Sequence, residues 1–595
     1  MTNAELMRLE YKYAAILLCA VLMTVQGCYK DKGNYDYHDV NSLTVTLDCP
    51  TPYNLTMGET VRIHPSLHFA SGNGNSDRLE YRWYLGSYEG YTEDGWNTLD
   101  FEWTPDRLVD SETLLLVVTD PVTGIQSFAG VVLSVKAIYD AYGVIVLTEK
   151  ENGKSGLSFI KWKSDDVKWV TDVDPESSIN GRIMPTYEEY PDVYFTENGE
   201  DLPAGPIGLH EHYCDDKTTV GQILVMTEGG AVDISGKTFR KDPVGTLENV
   251  FTDGSYPDRM RYVSEAMMMS RVDLVTDQDG HVYTRVKNTS KLFHSGKFLG
   301  RRLEFDGSEV SGCSLYMHPF SISPNACVVY DGKSKRMFHV CDSGASVEWD
   351  MQEGDVAAGH SFPILDVDDR KKITSDDGSE DMYVSPEDMS AVDKVISIGF
   401  STSNPVRSYN STLLMFRRAG RYFLQEMWIS RTNFGRGNFE FKVTRARIEE
   451  IKGLPGDPAD LYISPYVYYD ENPYAMFAVG RQLYTYDLIN RTLPVSAYFS
   501  KDLRADIVAV SGEDNYYEWW TALGLDDGSV IVVNSRDARY SRNHCVLYDS
   551  RKEMYNATSG SGVKQENDRT PLEMGRIVDV WFKRRGGGIW SVSSY

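Results

Sequence analysis

The sequence predicts an all-β protein built from a β-sandwich followed by a β-propeller. Three observations carry this expectation. Between Asn41 and about Val135, short runs that alternate apolar and polar residues are separated by turns rich in Gly, Asn, Asp and Pro. From Ile138 onward one theme recurs: an apolar strand of four to six residues, an acidic or Gly-rich turn, and a second strand. No long amphipathic helix stands out; the nearest candidate is "SEAMMMS", whose Met267, Met268 and Met269 read as core or loop filler.

In chain order, the first element is residues 1–27. The apolar run "AAILLCAVLMTV", Ala14 to Val25, follows Arg8 and Lys12 and is far shorter than the roughly 20 residues that span a bilayer as a helix. It has the form of a signal-peptide core. "VQGC" then resembles the bacterial lipobox, in which the cysteine is lipidated and becomes the first mature residue, so Cys28 is the expected lipidation site. More than one acyl chain gives stable anchoring without a spanning segment, and no later apolar run is long enough to be a transmembrane helix. Residues 28–40, "CYKDKGNYDYHDV", have few apolar aliphatic side chains and read as a flexible tether.

Residues 41–137 form the sandwich. "LTVTLDC", "ETVRIHPSL", "LEYRWYL", "TLDFEW", "TLLLVVTD" and "SFAGVVLSV" are strand-like, with "SGNGNSD" and "DPVTG" as turns between them. About seven strands in about 95 residues suit an immunoglobulin-like fold, with Trp83 of "YRWYL" as the buried tryptophan of a central strand. No pair of cysteines brackets it. The "Y-x-W" strand, the later "LLLVVTDPVTG" and the last "VVLSV" strand resemble PKD-like domains. With the preceding "CYKDKGNYDY", the chain is similar to the PKD-like lipoproteins of Bacteroidota, most clearly over residues 28 to about 140.

Residues 138–595 are read as the propeller. Its hairpins are "GVIVLTEKENGKSGLSFIKW", "ILVMTEGGAVDISGKTF", "VDLVTDQDGHVYTRV", "ACVVYDGKSKRMFHV", "LLMFRRAGRYFLQEMWI", "AMFAVGRQLYTYD" and "TALGLDDGSVIVVN". Seven hairpins at a mean spacing near 65 residues exceed the roughly 40 to 50 residues of common propeller blades, which implies seven blades with long inserted loops. The longest insertions fall at Asp242–Arg261, Met351–Lys394 and Asn543–Pro571. Stacked sandwiches and rings of six or eight blades are the alternatives. The final strand, "GRIVDVWFK", is expected to close the ring by pairing within the blade that begins at Tyr142.

A formal charge of −27 repels the phosphates of nucleic acid and of an anionic membrane face, so neither is an expected partner. Beyond Cys19 and Cys28 remain Cys49, Cys214, Cys313, Cys327, Cys341 and Cys545, too few for a disulfide scaffold in so long a chain; the even spacing of Cys313, Cys327 and Cys341 points to neighbouring strands. "GLHEHYCDD" puts His210 and His212 on one face of a strand, without an identifiable third metal ligand. "LDVDDRKK" and "TSDDGSEDMY" lack the EF-hand order and read as an exposed acidic loop, as does "TDQDGH" with Asp277, Asp279 and a hairpin Gly280. There is no G-x-S-x-G, Walker loop or Rossmann fingerprint, so no catalytic residue, metal or cofactor is assigned and the chain is not expected to be an enzyme. The aromatic segments "DNYYEWW" and "YISPYVYYDENPY" supply the candidate binding rings Tyr516, Trp519, Trp520, Tyr466 and Tyr468, planar faces with polar rims suited to a sugar, a peptide or a protein partner.

The resemblance implies a context. PKD-like lipoproteins of this kind are commonly encoded beside an outer-membrane TonB-dependent (SusC-like) transporter and its SusD-like lipoprotein. It implies an accessory outer-membrane lipoprotein, displayed at the cell surface, that captures an oligomeric peptide or glycan for import. "YKDK" after Cys28 only loosely resembles the acidic export signal of such proteins. The competing classes are a propeller-fold hydrolase or lyase acting on extracellular polymer, and a purely structural subunit of the importer.

Overall fold

The computed structural model describes residues 41–583 apart from 73, 170–182, 214–220, 242–264, 269–271, 287–297, 318–325, 342–360, 403–409, 436–437, 457, 459, 464–473, 489–490, 492–494, 500–501, 513–519, 535–545 and 552–570. The chain divides into two compact units between Lys136 and Ala137.

The first unit is a sandwich of short strands: β1 (Leu43–Thr46), β2 (Tyr53–Thr56), β3 (Val61–Ile63), β4 (Ser66–Phe69), β5 (Glu80–Leu85), β6 (Phe101–Trp103), β7 (Val109–Thr119) and β8 (Gln126–Lys136). The main sheet runs β2-β8-β7-β5, with β2 parallel to β8; β1-β4 and β3-β6 pair separately. Alternation sends every second side chain inward. Trp83 is fully buried at the centre, its ring 4.8 Å from Phe101, and its Nε1 donates to the Thr98 carbonyl at 3.0 Å, so the indole is both packed and satisfied.

Among the described residues the second unit is a ring of seven blades, of which the fourth and fifth join into one nine-stranded sheet. Blade 1 holds β9 (Gly143–Glu149), β10 (Lys154–Trp169) and β11 (Ile183–Tyr190), with β12 (Leu202–Ala204) at the start of β10. Blade 2 holds β13 (Pro206–Tyr213), β14 (Gly221–Thr227) and β15 (Val232–Ser235); blade 3 holds β16 (Glu265–Met268), β17 (Val272–Thr276), β18 (Val282–Val286) and β19 (Phe298–Arg302). A small hairpin, β20 (Glu304–Phe305) and β21 (Ser308–Glu309), leads to blade 4: β22 (Cys313–Met317), β23 (Ala326–Asp331), β24 (Arg336–Cys341) and β25 (Ser361–Leu365). After β26 (Ile373–Thr374), blade 5 holds β27 (Lys394–Thr402), β28 (Asn410–Arg418), β29 (Arg421–Gly435) and β30 (Asn438–Glu450). Blade 6 is β31 (Asp460–Ile463), β32 (Tyr474–Val479), β33 (Gln482–Asp487) and β34 (Ser496–Ala497); blade 7 is β35 (Ile507–Gly512), β36 (Trp520–Leu525), β37 (Val530–Asn534) and β38 (Val546–Asp549). The last strand, β39 (Arg576–Lys583), returns to pair antiparallel with β9.

All seven hairpins read from the sequence are the second-to-third strand hairpins of these sheets. Their turns need positive φ where expected: Gly280 has φ 69°, and a Cβ there would meet the Cys313 nitrogen at 2.5 Å; Gly528 has φ 80°, and a Cβ would meet the Met574 carbonyl at 2.8 Å. The inner strands β39, β13, β16, β22, β27, β31 and β35 follow one another around the axis, and β35 lies against β39, which closes the circle. Cys313, Cys327 and Cys341 do lie on the neighbouring strands β22, β23 and β24.

The core sits in the seams between blades. Val144 and Val146 of β9 pack toward blade 7 with Ala522 and Val532, whereas Ile145 and Leu147 of the same strand pack toward blade 2 with Ile223 and Val225. Strands covered on both faces lose the apolar/polar alternation of a half-exposed sheet, which is why these segments read as unbroken apolar runs.

The segment "SEAMMMS", the nearest candidate for a helix, supplies a strand: Glu265–Met268 is β16, paired with β17 as the inner strand of blade 3. Among the described residues the α-helix is Val193–Asn198, six residues long, which stops at Gly199, whose φ is 70°. One expectation is corrected. The described part of the Met351–Lys394 insertion is a cap on blade 5 and is no free loop. Its β26 pairs with β30, and Tyr383, Val384, Met389 and Val392 are buried against Phe416 and Ile448. The fully buried Gln425 fastens it, accepting from Val384 N at 2.9 Å and donating to Val384 O at 2.7 Å.

Candidate functional site

Strands that run up and down within a blade send first-to-second and third-to-fourth connections to one face of the ring, and second-to-third turns to the other. The turns on the second face are tight, such as Lys150–Gly153 and Asp277–Gly280. First-to-second connections, those that leave β31 and β35 among them, start from the first face, whereas the cap of residues 366–393 follows a fourth strand, β25, and starts from the second. Tyr466 and Tyr468 belong to the connection from β31 to β32, and Tyr516 and Trp519 to that from β35 to β36. All four lie outside the described residues, as does Cys28. The strands flanking them belong to successive blades, and the inner strands β31 and β35 are neighbours around the axis.

Trp520 stands apart from that group. It is 8% exposed, in the seam between blades 7 and 1, edge-on to Trp162 and among Ala522, Val530 and Phe582. It is a core side chain and offers no ring face to a ligand, because the first residue of β36 points with Ala522 into the neighbouring blade. His210 is likewise buried on β13, its ring 5.0 Å from Trp581 at the seam of blades 1 and 2. Cys214 and Asp215 lie outside the described residues.

The acidic stretch after Leu365 folds its own cap. Asp366 accepts from the Tyr383 hydroxyl at 2.6 Å, Asp368 pairs with Lys372 at 2.6 Å, and Asp369 accepts from Lys371 N at 3.0 Å. Burial, and secondarily the carboxylate of Asp366, pushes the Tyr383 phenol well above its ordinary range. Asp377 accepts from Ser375 Oγ at 2.7 Å and from Glu450 N at 3.0 Å, tying the cap to β30. Burial raises its carboxyl, but the hydrogen bonds from Ser379, Ser375 and Glu450 prevail and hold it below the usual value.

Among the described residues, one group of three ligands could gather around a metal ion: Asp277, Asp279 and His281, with donor atoms within 4.8 Å of one another. The same atoms build the turn of blade 3. Asp277 Oδ1 accepts from Asp279 N at 3.0 Å and from His281 N at 2.9 Å, and Oδ2 lies 3.1 Å from His281 Nδ1, so the hairpin accounts for the cluster without an ion.

A buried ionic junction joins blades 5 and 6. Arg491 reaches Glu426 at 2.7 Å and Glu449 at 3.5 Å, Ser411 Oγ donates to Glu426 at 2.8 Å, and the Tyr486 hydroxyl donates to Glu449. Both carboxylates are spoken for by a guanidinium and hydroxyls, an arrangement that fixes blade against blade. A second junction ties the ends of blade 7: Arg504 forks onto Asp549 with two bonds of 2.8 Å. Sequence reading missed both junctions, since their partners are 15 to 65 residues apart and no local pattern marks them.

The sequence model of the PKD-like family matches residues 28–206, which takes in the sandwich and the first strands of blade 1. No curated protein matches in sequence. Similar solved structures include a quinonprotein alcohol dehydrogenase-like protein from Bacteroides thetaiotaomicron, at 12% identity and a TM-score of 0.38 over 90% of this chain and 97% of that one. The computationally designed Ika8 protein is similar at 10% identity and a TM-score of 0.32, over 75% and 98% of the two chains. The β-propeller domain of Myceliophteria thermophila Cps50 (Swd1) follows at 12% identity and a TM-score of 0.30, over 57% and 88%.

Proposed function

We propose that this chain is a lipid-anchored accessory protein of the outer membrane, held by acylated Cys28, that captures an oligomeric nutrient, peptide or glycan, and works beside a TonB-dependent SusC-like importer with its SusD-like lipoprotein. The observation that carries this reading is the closed ring whose adjacent inner strands β31 and β35 each lead, along the sequence, into an aromatic-rich connection, 464–473 and 513–519. Loops presented by a rigid scaffold are where binding residues concentrate. Aromatic rings bring large contact area at low entropic cost, and interface anchors of this kind contribute about 1–3 kcal/mol each. The PKD-like match over residues 28–206 supports the lipoprotein context by family resemblance.

The test is calorimetry of the purified protein against panels of oligopeptides and oligosaccharides, with product analysis of the same mixtures. Saturable binding that weakens in a Tyr466→Ala, Tyr468→Ala, Tyr516→Ala, Trp519→Ala quadruple variant of unchanged fold supports capture. Turnover of any panel member would replace the capture reading with an enzymatic one, and absence of binding across both panels would leave scaffolding of the importer in its place.

A further inference from the structure

The β29–β30 hairpin is longer than its blade. β28 pairs with β29 only as far as Ser411 opposite Trp428, whereas β29 and β30 continue together to Gly435 opposite Asn438. On one side the continuation is covered: Phe441 and Lys442 of β30 pair with Ile364 and Leu365, and Phe439 and Phe441 are buried against Phe362. On the other side, among the described residues, nothing pairs with β29 beyond Trp428. Residues Ser430–Gly435 form an exposed strand edge, ending near Phe434, which is 62% exposed.

This ribbon has the opposite charge to its protein. From Trp428 to Arg447 the sequence holds Arg431, Arg436, Lys442, Arg445 and Arg447 against the single acid Glu440, in a chain of formal charge −27. Lys442 is engaged by Asp368 at 3.7 Å, and Arg447 by Asp376 and Glu449. Arg431 and Arg445 are exposed and have no carboxylate partner among the described residues; each lies over an aromatic ring, Arg431 4.9 Å from the centroid of Phe439 and Arg445 4.0 Å from that of Trp428. Stacking holds the guanidinium planes in place while leaving their N–H edges for an incoming carboxylate.

Charged residues on a free strand commonly guard it against edge-to-edge pairing. In a protein this acidic a guard of the prevailing sign would add to the repulsion between molecules, whereas arginines make the edge attractive to acidic chains. An exposed ladder of backbone groups flanked by positioned guanidiniums has the two requirements of strand addition: main-chain hydrogen bonds for affinity and side-chain complementarity for selection. We propose that the free edge of β29, Ser430–Gly435, is a docking site for an extended acidic segment of a partner protein, which adds as a further strand and places carboxylates on both faces of the sheet, on Arg431 beside Phe441 on one and on Arg445 opposite Trp428 on the other. This inference does not depend on nutrient capture, since it concerns a different element of the ring.

The experiment uses the full chain in detergent and a fluorescein-labelled decapeptide in which Glu-Glu pairs alternate with Val-Thr pairs, so that carboxylates face both sides of the added strand, read by fluorescence polarisation. Saturable binding is expected, weakened at least tenfold in Arg431→Glu, Arg445→Glu protein whose thermal unfolding is unchanged. It is expected to weaken at least tenfold again for a peptide N-methylated at alternate residues, which keeps its charge and loses its ladder. The proposal is overturned if the Glu peptide does not saturate, if a Lys-for-Glu peptide binds as well, or if the charge reversals leave binding intact. Equal binding of the N-methylated peptide, or displacement by oligogalacturonate at similar concentration, would make the ribbon a general polyanion surface and likewise overturn it. Sedimentation that reveals a dimer abolished by the same reversals would assign the edge to a second copy instead.

Discussion

Adjacent residues in a strand face opposite ways, so the burial of one side chain settles its own role and not its neighbour's. Trp520 faces the seam of blades 7 and 1, and truncating so large a buried ring leaves a cavity. Trp520→Ala is therefore expected to lower stability by about 3–5 kcal/mol in chemical denaturation, with ligand binding by the folded fraction unchanged. His339 is a second buried residue that composition did not single out. It is 6% exposed, stacked 4.3 Å from Phe441, and neither ring nitrogen has a hydrogen-bond partner. Burial pushes its pKa down to about 3. The unfolded chain, with an imidazole near 6.5, takes up a proton in the window between these values that the folded chain refuses, so stability present above about pH 6.5 is lost as pH falls toward 3. A His339→Phe variant should be more stable by about 1–3 kcal/mol at neutral pH, the cost of an unmade buried hydrogen bond. Its denaturation midpoint should also fall less steeply than wild type between pH 6.5 and 4. The buried Trp83 was legible because a tryptophan between alternating apolar neighbours has few other places to go; the faces of Trp520 and His339 were not, because strands covered on both sides carry no alternation to read.

At the scale of elements, the seven hairpins were legible because each combines a local turn signal with two adjacent apolar runs. The cap on blade 5 and the parallel seam of β25 with β30 depend on partners far away in sequence and leave no such signal. The basic, aromatic-laced ribbon was visible in "WISRTNFGRGNFEFKVTRAR" as a run of cations in an acidic chain, and charge counted by segment would have found it. The closing strand β39 is fixed by more than its ladder. Lys583, 3% exposed, donates to the carbonyls of Tyr139 and Ala141 at 2.7 and 2.9 Å, and Asp579 accepts from Leu209 N of blade 2 at 2.8 Å. Lys583→Met strands the buried Tyr139 carbonyl and the half-buried Ala141 carbonyl, each hydrogen bond to a charged group being worth about 1.5–3 kcal/mol, so a loss of roughly 3–6 kcal/mol is expected by urea titration. Gln425→Leu should instead loosen the cap locally, seen as faster amide hydrogen exchange at Val384 with little change in the global midpoint.

For the whole molecule, Cys28→Ala is expected to release the protein from membranes into the soluble fraction with its fold unchanged, because among the described residues no helix is long and apolar enough to cross a bilayer. Retention of the variant in high-salt-washed membranes would show a second anchor. The pairing of β39 with β9 also sets an order of events. The strand that seals the ring is, among the described residues, the last of the propeller's strands to leave the ribosome, while its partner is the first. Until Arg576–Lys583 arrives, the inner edge of β9 has no neighbour, the seam with blade 7 lacks Ile577, Val580 and Phe582, and that with blade 2 lacks Val578 and Trp581. The ring therefore cannot close before Arg576–Lys583 has emerged, and a chain cut short before Arg576 is left with an open sheet edge, the exposed feature by which a quality-control protease can tell an incomplete molecule from a finished one.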